Sequence, residues 1–203
     1  MPAPTRPPAI QHDPSIVRED VAGAPDGPRK PYPVYLQGWV TRGFGRGSKD
    51  LGCPTANLPD ESIEGVPVET GVHFGFAKVG VSGHDAVFPM VMSIGWNPFY
   101  QNETRTAEVH VLHDYPSDFY GKELRVVMLG FIRPEYNYAS MDALIKDINH
   151  DKLVALNSVS SARGTDAYSR YEQDPFFSKP TDLAPLPEDE DPARPRERPP
   201  PAP

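Results

Sequence analysis

The densest run of reactive residue types in this 203-residue chain is Gly43-Phe-Gly-Arg-Gly-Ser-Lys-Asp-Leu-Gly-Cys-Pro-Thr-Ala-Asn57. Gly43, Gly45 and Gly47 alternate, and glycine lets a backbone bend close to a bulky anion because it tolerates positive φ at little cost. Arg46 and Lys49 add positive charge and N–H donors beside those bends. Thr55 and Asn57 stand two apart, so in an extended segment their oxygens point to one side. Hydroxyl and amide oxygens are hard ligands that suit Mg²⁺, which keeps several waters and binds substrate phosphates. The run therefore predicts a magnesium-nucleotide site, with Thr55 and Asn57 on the metal and Gly43, Gly45, Arg46 and Lys49 around the phosphates. It is not a Walker A loop, which needs Lys-Ser or Lys-Thr after its last glycine. Nor is it G-x-G-x-x-G, because its glycines strictly alternate. A surface hairpin turn accounts equally well for the Gly-Arg-Gly loop alone, but less well for Pro-Thr-Ala-Asn directly behind it.

Two further constellations follow. Ser93-Ile-Gly-Trp-Asn-Pro-Phe-Tyr100 precedes Thr106-Ala-Glu-Val-His-Val-Leu-His113. Strand alternation puts Ala107, Val109 and Val111 on one face, the core face, and Glu108, His110 and Leu112 on the other. From the strand alone, Glu108 reads most simply as a surface glutamate. His113 falls on the opposite face or at the strand end. The third run is Gly130-Phe-Ile-Arg-Pro-Glu-Tyr-Asn-Tyr138, where Arg-Pro-Glu closes a strand with the rigid φ of proline. The plain reading of Arg133 is an ion pair with Glu135 or Asp142.

Taken together, these runs resemble the flap and metal motif, the Glu-x-His strand and the Arg-Pro-Glu segment of the riboflavin kinases. The resemblance covers about Gly38 to Phe177. It implies that Glu108 activates the ribityl hydroxyl. It places Thr55, Val111, His113 and Tyr120 (of Asp118-Phe-Tyr-Gly121) on the nucleotide. It puts Arg133, Asn137, Tyr138 and Met141 on the flavin, with tyrosine at 138 where the family often has phenylalanine. The implied reaction is γ-phosphoryl transfer from ATP to the 5′-hydroxyl of riboflavin, giving FMN and ADP. Mg²⁺, or another divalent ion such as Zn²⁺ or Mn²⁺, is the implied cofactor. A primary alcohol is a poor nucleophile near neutral pH, so a carboxylate must take its proton as it attacks phosphorus. Nothing resembles the adenylyltransferase module fused to bacterial riboflavin kinases, so the expected product is FMN and not FAD. Two rivals stand beside this reading. A non-catalytic flavin- or nucleotide-binding module needs neither Glu108 nor the Thr55/Asn57 pair. A β-barrel interaction domain docking through its proline-rich tail leaves all three motifs unexplained.

The elements that must position these residues are mostly strands. Val34–Thr41, Val72–Val79, Val87–Trp96, Thr106–Leu112 and Leu124–Ile132 are rich in Val, Ile, Phe and Tyr and bounded by Gly, Pro or Asn. One helix is predicted from Met141 to Val159, with Met141, Ile145, Ile148, Ala155 and Val159 at helical spacing and Leu144 and Leu156 widening the stripe. Ser140 is the expected N-cap. Strands followed by one helix predict an all-β-dominated fold, an antiparallel barrel with the helix against it. The resemblance sharpens this to a six-stranded Greek-key barrel. Asp174-Pro-Phe-Phe177 should anchor the chain back onto the core, across a polar, mobile link at 161–171.

Composition bounds the rest. Nine of the 26 prolines lie in residues 1–33 and eight in 182–203, so the middle reads as one domain, 34–181, between two tails. Residues 1–33 and the acidic, proline-rich 182–203 carry too little apolar content to offset chain entropy and are expected to stay extended or disordered, and to be dispensable. A net charge of −8 without a basic patch argues against nucleic acid. No apolar run approaches the ~20 residues of a membrane span. The first residues resemble neither a secretory nor a transit peptide. Cys53 is the only cysteine, which excludes an internal disulfide and makes a reducing cytoplasm the expected location; a small buried filler is its expected role. A monomer is expected.

Overall fold

The computed structural model describes residues 10–43, 54–96, 105–160, 165–187 and 190–194. Six strands form one antiparallel sheet: β2 (Val34–Trp39), β3 (Ala56–Leu58), β4 (Gly71–Val79), β5 (Phe88–Trp96), β6 (Arg105–Val111) and β7 (Glu123–Arg133). Their order is β2-β7-β4-β5-β6-β3. The sheet curls until its two edges meet, where Thr41 bridges Asn57. The expected six-stranded antiparallel barrel is present as a curled sheet joined at its edges by this one bridge, with β3 added at the position of the Pro-Thr-Ala-Asn run.

Alternation fills the barrel. Met90, Met92 and Ile94 of β5, Ala107, Val109 and Val111 of β6, and Leu124, Val126 and Met128 of β7 all point inward and are buried. The outer face of the middle strands is apolar too, because helix α1 (Met141–Val159) lies across it. Phe74, Phe76, Val127 and Leu129 pack against Ala155 and Val159. Ser140 caps α1 as predicted, its Oγ accepting the Ala143 N–H at 3.2 Å. Asp174 caps the short turn Pro175–Ser178, which buries Phe177 against the same outer cluster, so this anchor is also as expected.

The buried face of α1 differs from the predicted stripe. Asp147, Asp151, Val154, Ala155, Ser158 and Val159 are buried, while Met141 and Leu156 are exposed. The reason lies in the N-terminal segment. Of residues 10–33, expected to have no fixed place, residues 18–22 lie along α1 and Tyr32 packs on the barrel core. Arg18 pairs with Asp147 and Asp151. The Ala22 N–H donates to Ser158 Oγ at 2.8 Å, and Asn157 Nδ2 donates to the Asp20 carbonyl at 3.0 Å. A two-residue strand, β1 (Ile10–Gln11), pairs in parallel with β8 (Tyr136–Asn137). Low apolar content failed as a guide because the docking is polar: carboxylates and hydroxyls of α1 meet arginine and backbone donors.

The described part of the link after α1, residues 165–171, packs onto the protein, although its polarity suggested a mobile segment. Ala167 and Tyr168 are buried, and the Tyr168 hydroxyl donates to the Ala24 carbonyl at 3.0 Å. The C-terminal segment makes fewer contacts. Trp39 Nε1 donates to the Ala184 carbonyl at 2.8 Å, Gln37 Nε2 to Asp182, and the Arg42 N–H to the Pro192 carbonyl at 3.0 Å.

Candidate active site at the barrel edge

Three of the predicted residues converge on the outer face of β6 and β3. Register places Glu108 between Asn57 of β3 and Ser93 of β5. Thr55, just ahead of β3, donates its hydroxyl to Glu108 Oε2 at 3.3 Å. All the side chains of this group carry oxygen donors. Their chemistry fits a hard divalent ion such as Mg²⁺, with room left for water and phosphate. Among the described residues no group of three or more His, Cys, Asp or Glu is arranged to hold a metal ion. Gly43 faces the same spot. A Cβ there would come within 2.6–2.8 Å of the Asn57 side-chain amide, so any larger residue would push that amide aside. Gly45, Arg46, Lys49 and Cys53 lie outside the described residues, as do Asn97 to Tyr100.

His110 is two residues along the same face. Its Nδ1–H donates to the Pro54 carbonyl at 2.8 Å, which leaves Nε2 as the free nitrogen. Burial, with the nearby Lys152 charge, lowers its pKa, although the Pro54 carbonyl pulls the other way. It is thus held as a neutral strut beneath the loop bearing Thr55. His113 stands past the end of β6. Its ring stacks on Phe88 at 3.9 Å and 7°, meets Tyr115 edge-on at 4.8 Å, and approaches His84, with Nδ1 of His84 2.9 Å from Nε2 of His113. An aromatic wall of this kind can take a flat base. Tyr120 is half-buried against the barrel core, at the turn before β7. Val111 requires correction: alternation turns its side chain into the barrel, 6% exposed, so it belongs to the core.

The predicted flavin residues lie at the other end of one lateral row. Asn57, Glu108, Ser93, Val72 and Arg133 are successive register partners across β3, β6, β5, β4 and β7. Adjacent strands are ~4.8 Å apart, so Glu108 and Arg133 are separated by roughly 14 Å. Arg133 already lies over two rings of the chain itself, 5.3 Å from the Tyr136 centroid and 5.9 Å from that of Tyr138. It is buried, and its Nε and Nη2 grip Asp151 at 2.7–3.1 Å while Nη1 donates to the Pro134 carbonyl at 3.0 Å. Neither Glu135 nor Asp142 is its ion-pair partner. Burial opposes its charge, yet Asp151 outweighs that and raises the Arg133 pKa. The Tyr138 hydroxyl donates to Asp147 Oδ2 at 2.8 Å. Asn137 and Met141 are exposed. Glu135 crosses over Gly95 at the end of β5, where a Cβ would meet its carboxylate, so this segment overlies the row at its middle.

Several participants carried no legible signal. Ser93 was quoted only as the start of a loop, and its adjacency to Glu108 is a matter of register. His84 sits in a loop with no motif. Asp147 and Asp151 offered one clue, two carboxylates one turn apart on the face shared with Val154 and Ala155. A cavity of about 1090 Å³ at the opposite barrel mouth, walled by Trp96, Arg105, Glu64 and Glu69, includes none of the predicted site residues. Arg105 there spends its guanidinium on the carbonyls of Ile63, Val66 and Val68, which fixes the loop plugging the barrel.

Comparison with known proteins identifies the family and the fold. Residues 30–159 match the family model "Flavokinase: Riboflavin kinase". The chain is 47% identical over 160 residues to a riboflavin kinase of Pyricularia oryzae, covering 71% of this chain and 80% of that one. It is 40% identical over 172 residues to a riboflavin kinase of Meyerozyma guilliermondii, covering 72% and 93%. The crystal structure of a riboflavin kinase from Trypanosoma brucei has the same fold, with a TM-score of 0.56 at 23% identity over 75% of this chain and 90% of that one. The chain belongs to the riboflavin kinase family.

Proposed function

We propose that this protein is an ATP:riboflavin 5′-phosphotransferase in which Glu108 is the general base and Thr55 and Asn57 hold Mg²⁺. The observation that carries this reading is the convergence of Glu108, Thr55 and Asn57 at one open barrel edge, two of them joined by a hydrogen bond. Glu108 accepts the proton of the ribityl 5′-hydroxyl as its oxygen bonds to the γ-phosphorus and the bond to the ADP oxygen breaks. Bound Mg²⁺ neutralises charge building on the phosphoryl oxygens. Gly43 lets the glycine loop start over Asn57, and Gly45, Arg46 and Lys49 continue it around the phosphates. His113, held by Phe88 and His84, and Tyr120 offer the nucleotide its aromatic side. Asn137 and Met141 present the exposed contacts for the flavin, and Arg133 and Tyr138 support them from behind through Asp151 and Asp147.

The catalytic unit in this reading is residues 34–181. Among the described residues no helix is long and apolar enough to cross a membrane. The single cysteine fits work in a reducing cytoplasm, and we read the active species as a monomer. Incubation with riboflavin, ATP and Mg²⁺ should yield FMN and ADP in equal amounts. Riboflavin bound and quenched without turnover would leave only a flavin-binding module.

A further inference from the structure

The N-terminal segment reaches the flavin end of the row through charges rather than through apolar packing. Two buried carboxylates, Asp147 and Asp151, face two arginines from opposite directions. Arg133 comes from β7 beneath, and Arg18 comes from the segment above. Arg18 Nη2 bonds Asp151, and its Nη1 stands 3.4 Å from Asp147, an ion pair without hydrogen-bond geometry. His12 adds a third tie: Nε2 lies 3.5 Å from Asp147 Oδ2, and its ring packs on Tyr138 at 4.9 Å. Its backbone N–H donates to the Asn137 carbonyl at 3.0 Å, just beyond the parallel pairing of β1 with β8. Residues 10–18 therefore grip Tyr136, Asn137 and Tyr138 by backbone, ring and charge at once.

We propose that residues 10–24 are a positioning strap for the riboflavin subsite, with Arg18 and His12 as its positioning residues. The proposal rests on the reading of segment 133–141 as the flavin side. Without Arg18, a single arginine is left to balance two buried carboxylates. The carboxylate left uncompensated would turn toward water, loosening the Tyr138–Asp147 hydrogen bond that ties this face of α1 to the segment after β7, and Tyr138 and Asn137 would move with it. Arg18 touches neither the metal group nor the aromatic wall around His113, so its loss should be felt by riboflavin and not by ATP.

The test uses the full chain, with riboflavin binding followed by flavin fluorescence quenching and KM measured separately for both substrates. Arg18→Ala should raise the riboflavin Kd and KM by ~10-fold or more, since small misplacements of positioning groups cost that much. The KM for ATP should stay within about two-fold. Arg18→Lys keeps the charge but loses the fork and should fall between the two. His12→Ala should shift riboflavin in the same direction by less, and it decides the matter if Arg18→Ala does not fold. A lower melting temperature with unchanged riboflavin affinity would reduce the strap to a staple for α1 and overturn the proposal. Equal losses for riboflavin and ATP would overturn it as well. If the unmodified protein binds no riboflavin, the flavin reading fails, and the strap proposal fails with it; normal binding in the unmodified protein and in both variants sinks the strap alone.

Discussion

The two ends of the row from Asn57 to Arg133 are built on opposite principles. At the Glu108 end, half-exposed oxygens meet at a sheet edge, and one 3.3 Å hydrogen bond joins Thr55 to Glu108. At the Arg133 end, two carboxylates and two arginines are buried under a strap and a helix. A site that must accept metal, phosphate and a reacting hydroxyl needs groups with unspent hydrogen-bonding capacity. A site that only has to hold shape can spend all of it. The comparison teaches where substitutions should act: turnover at the first end, folding and binding at the second.

Glu108→Gln should break the comparison most sharply. The amide keeps size and hydrogen bonding but cannot serve as an anionic base, so turnover should fall ~10²–10⁴-fold with KM and melting temperature little changed. A variant within about two-fold of the parent, with binding intact, would remove Glu108 from the mechanism. Asp151→Ala should do the reverse. It strands Arg133 and Arg18, and breaking a buried pair costs about 3–5 kcal/mol, readable as a shifted denaturant midpoint. A loss below ~1 kcal/mol would show that these charges are solvated.

His73 supplies a control from inside the barrel. It is fully buried, its Nε2–H on the Glu69 carbonyl at 3.1 Å and its Nδ1 facing the Tyr32 hydroxyl at 3.0 Å. Burial, aided by Arg105, lowers its pKa to about 4. The unfolded chain takes up this proton near pH 6.5, so His73 leaves stability untouched above ~6.5 and erodes it as pH falls toward 4, by about 3 kcal/mol in all. Imidazole NMR should show the His73 ring neutral down to about pH 4, and titration near 6.5 would disprove the burial argument.

Smaller effects sharpen the contrast. Thr55→Ala or Asn57→Ala should raise the Mg²⁺ concentration needed for half-maximal rate while riboflavin quenching stays put, because each removes an oxygen from one end only. A normal Mg²⁺ titration in both variants would end the metal assignment. Removing residues 182–203 deletes a few surface bonds to Gln37, Trp39 and Arg42 and should cost no more than about 1–2 kcal/mol. Removing residues 1–24 should cost clearly more, which a pair of thermal melts can decide.

Periodicity made the barrel and its helix legible. Val, Ile and Phe alternate through β4 to β7, and α1 starts and stops at the residues its cap and stripe indicate. Thr55 and Asn57 were legible as a pair because a spacing of two in an extended run implies a shared side, whereas Glu108 read as a surface glutamate from its strand alone and gained its role only through the resemblance. What stayed hidden was set by partners distant in sequence. Arg18 and Asp151 are 133 residues apart, so no local pattern announces their pairing. Proline content marked residues 1–33 as too poor in apolar groups to take a fixed place, yet Arg18 docks by charge and Ala22 and Tyr32 pack against the core clusters. Val111 shows the limit of the resemblance: alternation had already put its side chain on the core face, where it is buried, so only its backbone can face the site.

The strand order β2-β7-β4-β5-β6-β3 has a kinetic consequence. Strands β4, β5 and β6 follow one another as a meander and can pair as they are made. β2, synthesised early, must wait for β7, and Arg18 must wait still longer for α1 to supply Asp147 and Asp151. Such non-local pairings slow folding, since chain entropy is lost before contacts repay it. The Thr41–Asn57 bridge needs both edge strands in place, so the edge that carries Thr55 and Asn57 is completed late. During synthesis the unpaired edge of β2 is the part of this chain most open to wrong partners.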